Sequence, residues 1–103
     1  MIYLKIHDTE NGSMVAMCDE ALIDKLLSDG EVVLDIKTYN SFYKGKKVTK
    51  DEAKSIVEQA EPIYSANVIG KESIEVAISL KIVEKSGVLW IKDVPYAHSY
   101  SMD

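Results

Sequence analysis

Apolar and polar positions alternate from the start of the chain: Ile2, Leu4 and Ile6 share one face of an extended segment, and Tyr3, Lys5 and His7 share the other. Asn11-Gly12 marks a turn, and Met14 to Cys18 reads as the strand returning from it, so a β-hairpin opens the chain. The period then changes. Leu22, Ile23, Leu26 and Leu27 fall at helical spacing behind Asp19, a residue suited to an N-cap, and Gly30 follows Asp29, which predicts a helix from Asp19 to Asp29. Glu31 to Ile36 predicts a third strand, and Tyr39 to Lys47 a loop rich in aromatic residues and lysine.

Thr49 and Glu52 have the spacing of a capping box and open a second helix with Ala53, Ile56, Val57 and Ala60 on its inner face and Pro62 after its end. Val68 and Ile69 form a short apolar strand that runs into Gly70. Behind it Ile74, Ala77 and Ile78 stripe a helix that reaches about Lys81. The rest of the chain is arranged around this stretch, whose helix N-terminus has backbone N–H groups to offer an anion. Ser86-Gly87 turns into Val88 to Ile91, a strand apolar enough for burial on both faces, and Tyr96 to Asp103 reads as a polar, flexible tail.

Three helices and four or five strands, in an order that mixes hairpins with strand-helix crossovers, predict an α+β fold with a mixed or antiparallel sheet. The predicted core is Leu4, Leu22, Leu26, Leu34, Ile56, Ile74, Ala77, Ile78 and Trp90. With 103 residues there is room for one domain, spanning 1–103, and with 47% hydrophobic residues it can fill a core unaided.

No apolar run approaches the roughly 20 residues a membrane-spanning helix needs, and Met1 leads straight into the first strand without the pattern of a signal peptide. The expectation is a cytoplasmic protein without membrane contact. Cys18 is the only cysteine, so neither an intrachain disulfide nor a multi-cysteine zinc site is expected, and nothing in the spacing calls for a cofactor.

The net charge of −5 opposes whole-surface binding to nucleic acid or anionic lipid, but it is unevenly spread. Between Lys37 and Lys54 six lysines face Asp51 and Glu52, a local +4, while six lysines and fifteen acids leave −9 on the remainder. All twelve basic residues are lysine, so the planar fork that arginine offers phosphate and guanine is missing.

Within that island Tyr39, Phe42 and Tyr43 can stack on bases, Lys44, Lys46, Lys47 and Lys50 can neutralise phosphates, and Gly45 lets a backbone approach closely. The expectation is a non-catalytic module that contacts RNA, a ribonucleoprotein or an acidic protein partner through this loop. The alternative is an interaction or homo-oligomerisation domain that pairs through a sheet edge or the Trp90 strand. A small enzyme using Cys18 or a histidine comes third. Cys18 stands at a strand end beside Asp19 and Glu20, whose charges oppose thiolate formation, and reads as structural. His7-Asp8 is a lone pair without a second ligand cluster, and His98 falls in the tail.

Four blocks add a resemblance. Ala16-Met17-Cys18-Asp19-Glu20 ahead of a leucine-bearing stretch, Phe42-Tyr43-Lys44-Gly45, Asn67 to Ala77, and Val94-Pro95-Tyr96-Ala97-His98 resemble, in matching order, those of an archaeal family known as domain of unknown function 424. The resemblance implies a small α+β fold and an archaeal cytoplasm, and brings no activity with it. Two positions depart from the family's pattern: Tyr96 stands where histidine usually follows the proline, with His98 two residues on, and Asp24 stands where glycine is frequent.

Overall fold

The structure, a computed structural model, describes residues 1–60 and 62–100. In chain order it contains β1 (Ile2–Thr9), β2 (Gly12–Asp19), a 3-10 turn at Glu20–Leu22, β3 (Leu26–Asp29), β4 (Val32–Asp35), a one-turn helix α1 (Asn40–Tyr43) and β5 (Lys46–Val48). Then come α2 (Lys50–Glu58), β6 (Ile63–Ile69), α3 (Lys71–Ser79), a second 3-10 turn, β7 (Leu89–Ile91) and β8 (Val94–Tyr100). The main sheet has six strands in the order β5-β1-β2-β6-β8-β7, and β3 and β4 form a separate two-stranded sheet. The α+β class holds, with more strands than the four to five expected. The central β2–β6 pair is parallel and its neighbours are antiparallel.

The opening hairpin follows from its alternation, with Ile2 opposite Asp19 and Thr9 opposite Gly12. The Thr9 hydroxyl ties the turn, donating to the Gly12 carbonyl at 2.6 Å and accepting from the Asn11 amide at 3.2 Å. One face of the sheet gathers Ile2, Leu4, Val15, Met17, Ala66, Val68 and Ala97, and α2 and α3 lay Ala53, Val57, Ile74 and Ala77 upon it. Each fully buried aliphatic side chain contributes about 1.5–3 kcal/mol, so this layer dominates the stability. The capping box forms as expected: Thr49 Oγ1 accepts from Glu52 N at 3.1 Å and Glu52 Oε1 accepts from Thr49 N at 3.0 Å.

The opposite face buries Ala16, Cys18 and Ile69 under Ile36 and Tyr43, with Leu22, Ile23, Leu27, Leu34, Phe42 and Tyr96 packed around them. No long helix covers it. The segment expected to be a helix from Asp19 to Asp29 is instead a 3-10 turn followed by β3, paired with β4 so that Leu27 faces Leu34. Gly30, at φ 64°, is the first of two turn residues, a position that favours glycine, and it closes a hairpin instead of ending a helix. Asp24 at φ 67° breaks the helical path, and Leu26 is exposed, not buried as expected.

Asp19 is a cap, but of a different helix. Its carboxylate accepts from Glu72 N at 3.1 Å and from both Ser73 N and Ser73 Oγ at 2.8 Å, closing the N-terminus of α3. Gly70, at φ 109°, makes room for it: a Cβ there would lie 2.5 and 2.6 Å from the two carboxylate oxygens. The anion that the strand-glycine-helix stretch was expected to attract is thus supplied by the chain itself.

Two further expectations are corrected at the end of the chain. Tyr96 to Tyr100 form part of β8 and pair with β6 from Ile69↔Tyr96 to Ser65↔Tyr100, so they are not a tail; residues 101–103 lie outside the described residues. Trp90, expected in the core, is 59% exposed, because β7 is an edge strand of three residues that hides only Ile91.

Candidate functional site

A groove of about 380 Å³ opens on the second face, between the β3–β4 hairpin and α1. Val33, Leu34 and Ile36 form one wall, Tyr39, Phe42 and Tyr43 another, and Asn67, Ile69 and His98 the floor. Its size lies near the lower end of the roughly 300–1,000 Å³ typical of small-molecule sites.

The aromatic wall is held from several sides. Asp35 starts the turn that leads into it, Oδ1 accepting from Thr38 N at 2.9 Å, and this bond holds the Asp35 carboxyl below its usual range. At the other end of α1, Lys5 Nζ donates to the Ser41 carbonyl at 2.8 Å, and His7 Nε2 lies 3.0 Å from the Phe42 carbonyl. Both β1 side chains thereby serve carbonyls that a single helical turn leaves without partners. The His7 ring also stacks on Phe42, centroids 4.6 Å apart, and Phe42 meets Tyr43 edge-on at 5.1 Å. Burial, with a smaller push from the Cys18 side, raises the Tyr43 phenol to about 12. Phe42 is half-buried and Tyr43 buried, whereas Tyr39 is 63% exposed and has a ring face turned to solvent.

The floor is set by strand register. Asn67 on β6 is directly opposite His98 on β8, so amide and imidazole stand side by side. Neither was among the residues expected to bind. His98 was placed in a tail, although the alternation of Tyr96, His98 and Tyr100 with Ala97 and Ser99 is a strand signal. Tyr96 and His98, two positions apart on one strand, point to the same face, so the position that departs from the family pattern and the nearby histidine both look toward this side of the sheet.

Of the residues expected to bind, Tyr39, Phe42 and Tyr43 come together on the groove, and the others spread. Lys44 reaches over the Tyr3 ring, 5.9 Å from its centroid. Gly45 does allow a close approach, but of β1: a Cβ there would lie 2.9 Å from the Lys5 Cβ and collide with the Leu4 carbonyl. Lys46 and Lys47 are in β5, opposite Leu4 and Tyr3, and the two-residue period sends them to opposite faces. Lys47 pairs with Glu20 at 3.1 Å, which raises its pKa, and Lys50 pairs with Glu75 at 3.2 Å. These pairs trim the basic island, although each is exposed and contributes at most about 1 kcal/mol to stability.

Cys18 is fully buried, and its thiol is pushed up to about 12, first by burial and then by the Asp19 charge. At neutral pH it is a thiol, not a nucleophile. Among the described residues no three His, Cys, Asp or Glu side chains cluster as metal ligands, and no helix is long and apolar enough to cross a membrane. The site therefore offers stacking, apolar contact and hydrogen bonding.

A family model described as "Protein of unknown function (DUF424)" matches residues 6–102. A solved structure described as an uncharacterized conserved protein from Methanopyrus kandleri, an archaeon, is similar at a TM-score of 0.78, with 24% identity over 96% of this chain and 90% of that one. No curated protein matches the chain.

Proposed function

The chain belongs to the family of proteins of unknown function DUF424, and from that premise we propose that it is a non-catalytic module that binds single-stranded RNA on the face of the sheet carrying α1. The observation that carries this reading is the exposed ring of Tyr39 at the mouth of an aromatic-walled groove, within a segment that concentrates +4 of lysine charge. Stacking on an exposed aromatic holds an unpaired base for about 1–3 kcal/mol, while lysines hold the backbone. Lys5, Lys44 and Lys47 share the α1 face along β1 and β5, as their register with Tyr3 dictates.

Retention of single-stranded RNA as a function of salt tests the reading. The log-log slope for a single strand is about 0.7 per phosphate contact, so changing Lys44, Lys46 and Lys47 together to Gln should lower it by up to about two units without unfolding the protein. Wild-type retention in that variant, or none in the wild type, refutes it. Capture of an acidic protein that survives nuclease would point to the same lysines serving a protein partner.

A second reading, an interaction or homo-oligomerisation domain, is favoured by one feature. β7 is a sheet edge whose Leu89 and Trp90 are 57% and 59% exposed, whereas the opposite edge, β5, carries the lysines that discourage strand pairing. A dimer mass in solution that reverts to monomer in Trp90→Ser, together with no RNA retention, would replace the first reading with this one.

A further inference from the structure

We propose that the floor of the groove accepts one unpaired adenine, stacked on Tyr39 and read by Asn67, with His98 beside it; this rests on the RNA reading above. Asn67 has a donor and an acceptor in a fixed amide plane, yet among the described residues its only hydrogen bond is from Nδ2 to the Met14 thioether at 3.7 Å. A thioether is a weak acceptor, so the amide keeps a free oxygen and a second N–H inside an otherwise apolar and aromatic groove. Such a group gains more from a ligand than from the fold.

The polar groups choose the base. Adenine presents an amino donor next to a ring-nitrogen acceptor, the complement of an asparagine amide. The other polar side chain on the lining besides His98 is Asp35, ionised and acceptor-only. Adenine alone of the four RNA bases has no carbonyl oxygen, so it places no acceptor against that carboxylate; uracil would bring two. The same carboxylate repels phosphate, which leaves the backbone to the lysines beyond α1. Tyr39 is the stacking partner because Phe42 and Tyr43 are already committed, to His7 and to each other.

The test is fluorescence anisotropy with labelled oligoadenylate and oligouridylate at fixed salt, on the wild type, Asn67→Leu and Tyr39→Ala. The wild type should prefer oligoadenylate by about tenfold, Asn67→Leu should bind both alike with its salt slope intact, and Tyr39→Ala should weaken both. Asn67→Leu should melt no lower than the wild type, and Tyr39 is exposed enough that its variant folds regardless. Equal wild-type affinity for the two oligomers, or a preference that survives Asn67→Leu, overturns the adenine site and leaves the RNA reading standing. Absence of binding to either oligomer overturns both.

Discussion

Asp19→Ala should unfold this protein more readily than any other single change on a half-exposed side chain. The carboxylate receives three hydrogen bonds at the start of α3, from Glu72 N, Ser73 N and Ser73 Oγ, at 3.1, 2.8 and 2.8 Å. Loss of an N-cap costs about 0.5–2 kcal/mol. The Ser73 hydroxyl, on a residue with 0% exposure, would in addition be left without an acceptor, at about 1–3 kcal/mol. The combined effect is about 2–4 kcal/mol, a large part of the roughly 5–15 kcal/mol that holds a domain together. At about 4–8 °C per kcal/mol for a domain of this size, thermal denaturation followed by far-UV circular dichroism should show Tm lower by about 10–25 °C. Asp19→Asn keeps one acceptor and should lose about half as much. A double-mutant cycle with Ser73→Ala locates the cap: if Asp19 closes α3, the two changes are less than additive by about 1 kcal/mol. Additive effects, or a drop in Tm below about 4 °C for Asp19→Ala, would place the cap elsewhere and refute the reasoning.

Gly70→Ala should destabilise by more than about 2 kcal/mol, read from the midpoint of guanidinium unfolding, because φ 109° strains an L side chain and the new Cβ displaces the Asp19 carboxylate. Cys18 should react with a thiol reagent at neutral pH far more slowly in the native protein than after unfolding, because a rise from 9.0 to about 12 lowers the thiolate fraction about a thousandfold. The same shift fixes an alkaline limit. Cys18 and Tyr43, raised from 9.0 and 10.0 to about 12, hold their protons longer folded than unfolded, so stability is intact below pH 9 and falls as pH rises toward 12; a Tm that stays flat across that window refutes both assignments. Trp90, the one tryptophan, should emit at a solvent-exposed wavelength and be quenched by acrylamide in the native state, and Trp90→Ser should leave Tm within a few degrees.

What could be read from the sequence was local. The alternation of Ile2 to His7 and the Thr49–Glu52 box each specify an element through residues within a few positions, and both form as read. What could not be read depended on a partner far along the chain. Asp19 looks like a local N-cap because an aspartate before an apolar stretch usually is one; only the parallel β2–β6 pairing, with Cys18 opposite Ile69, carries it to the start of α3. Leu22 to Leu27 has helical spacing, but Val32, Val33 and Leu34 beyond a Gly30 turn offer a β partner that burial of Leu27 against Leu34 rewards. Trp90 was assigned to the core by its chemistry, and no local pattern announces that its strand lies at the sheet's edge. The aromatic half of the candidate site was visible as a run in sequence. Asn67 and His98 were not, because they become neighbours only through the β6–β8 register, thirty-one positions apart in the chain.

The location of the groove follows from how the chain allots its elements. A six-stranded sheet has two faces to cover, and both nine-residue helices, α2 and α3, lie on one of them. The other receives a hairpin with four-residue strands and a helix of four residues, which together bury Ala16, Cys18 and Ile69 but leave His98 exposed. Side chains on the helical face are therefore constrained by packing, since a change of one methylene there is felt in stability. Those on the incompletely covered face are not, and the fold would be served as well or better by apolar residues at 67 and 98. An amide and an imidazole at the two positions where an aliphatic pair would pack more favourably are a cost the fold does not need. That asymmetry, more than the count of lysines, is the physical ground for placing recognition on this face and for treating the loop from Tyr39 to Gly45 as one wall of a site whose floor is the sheet.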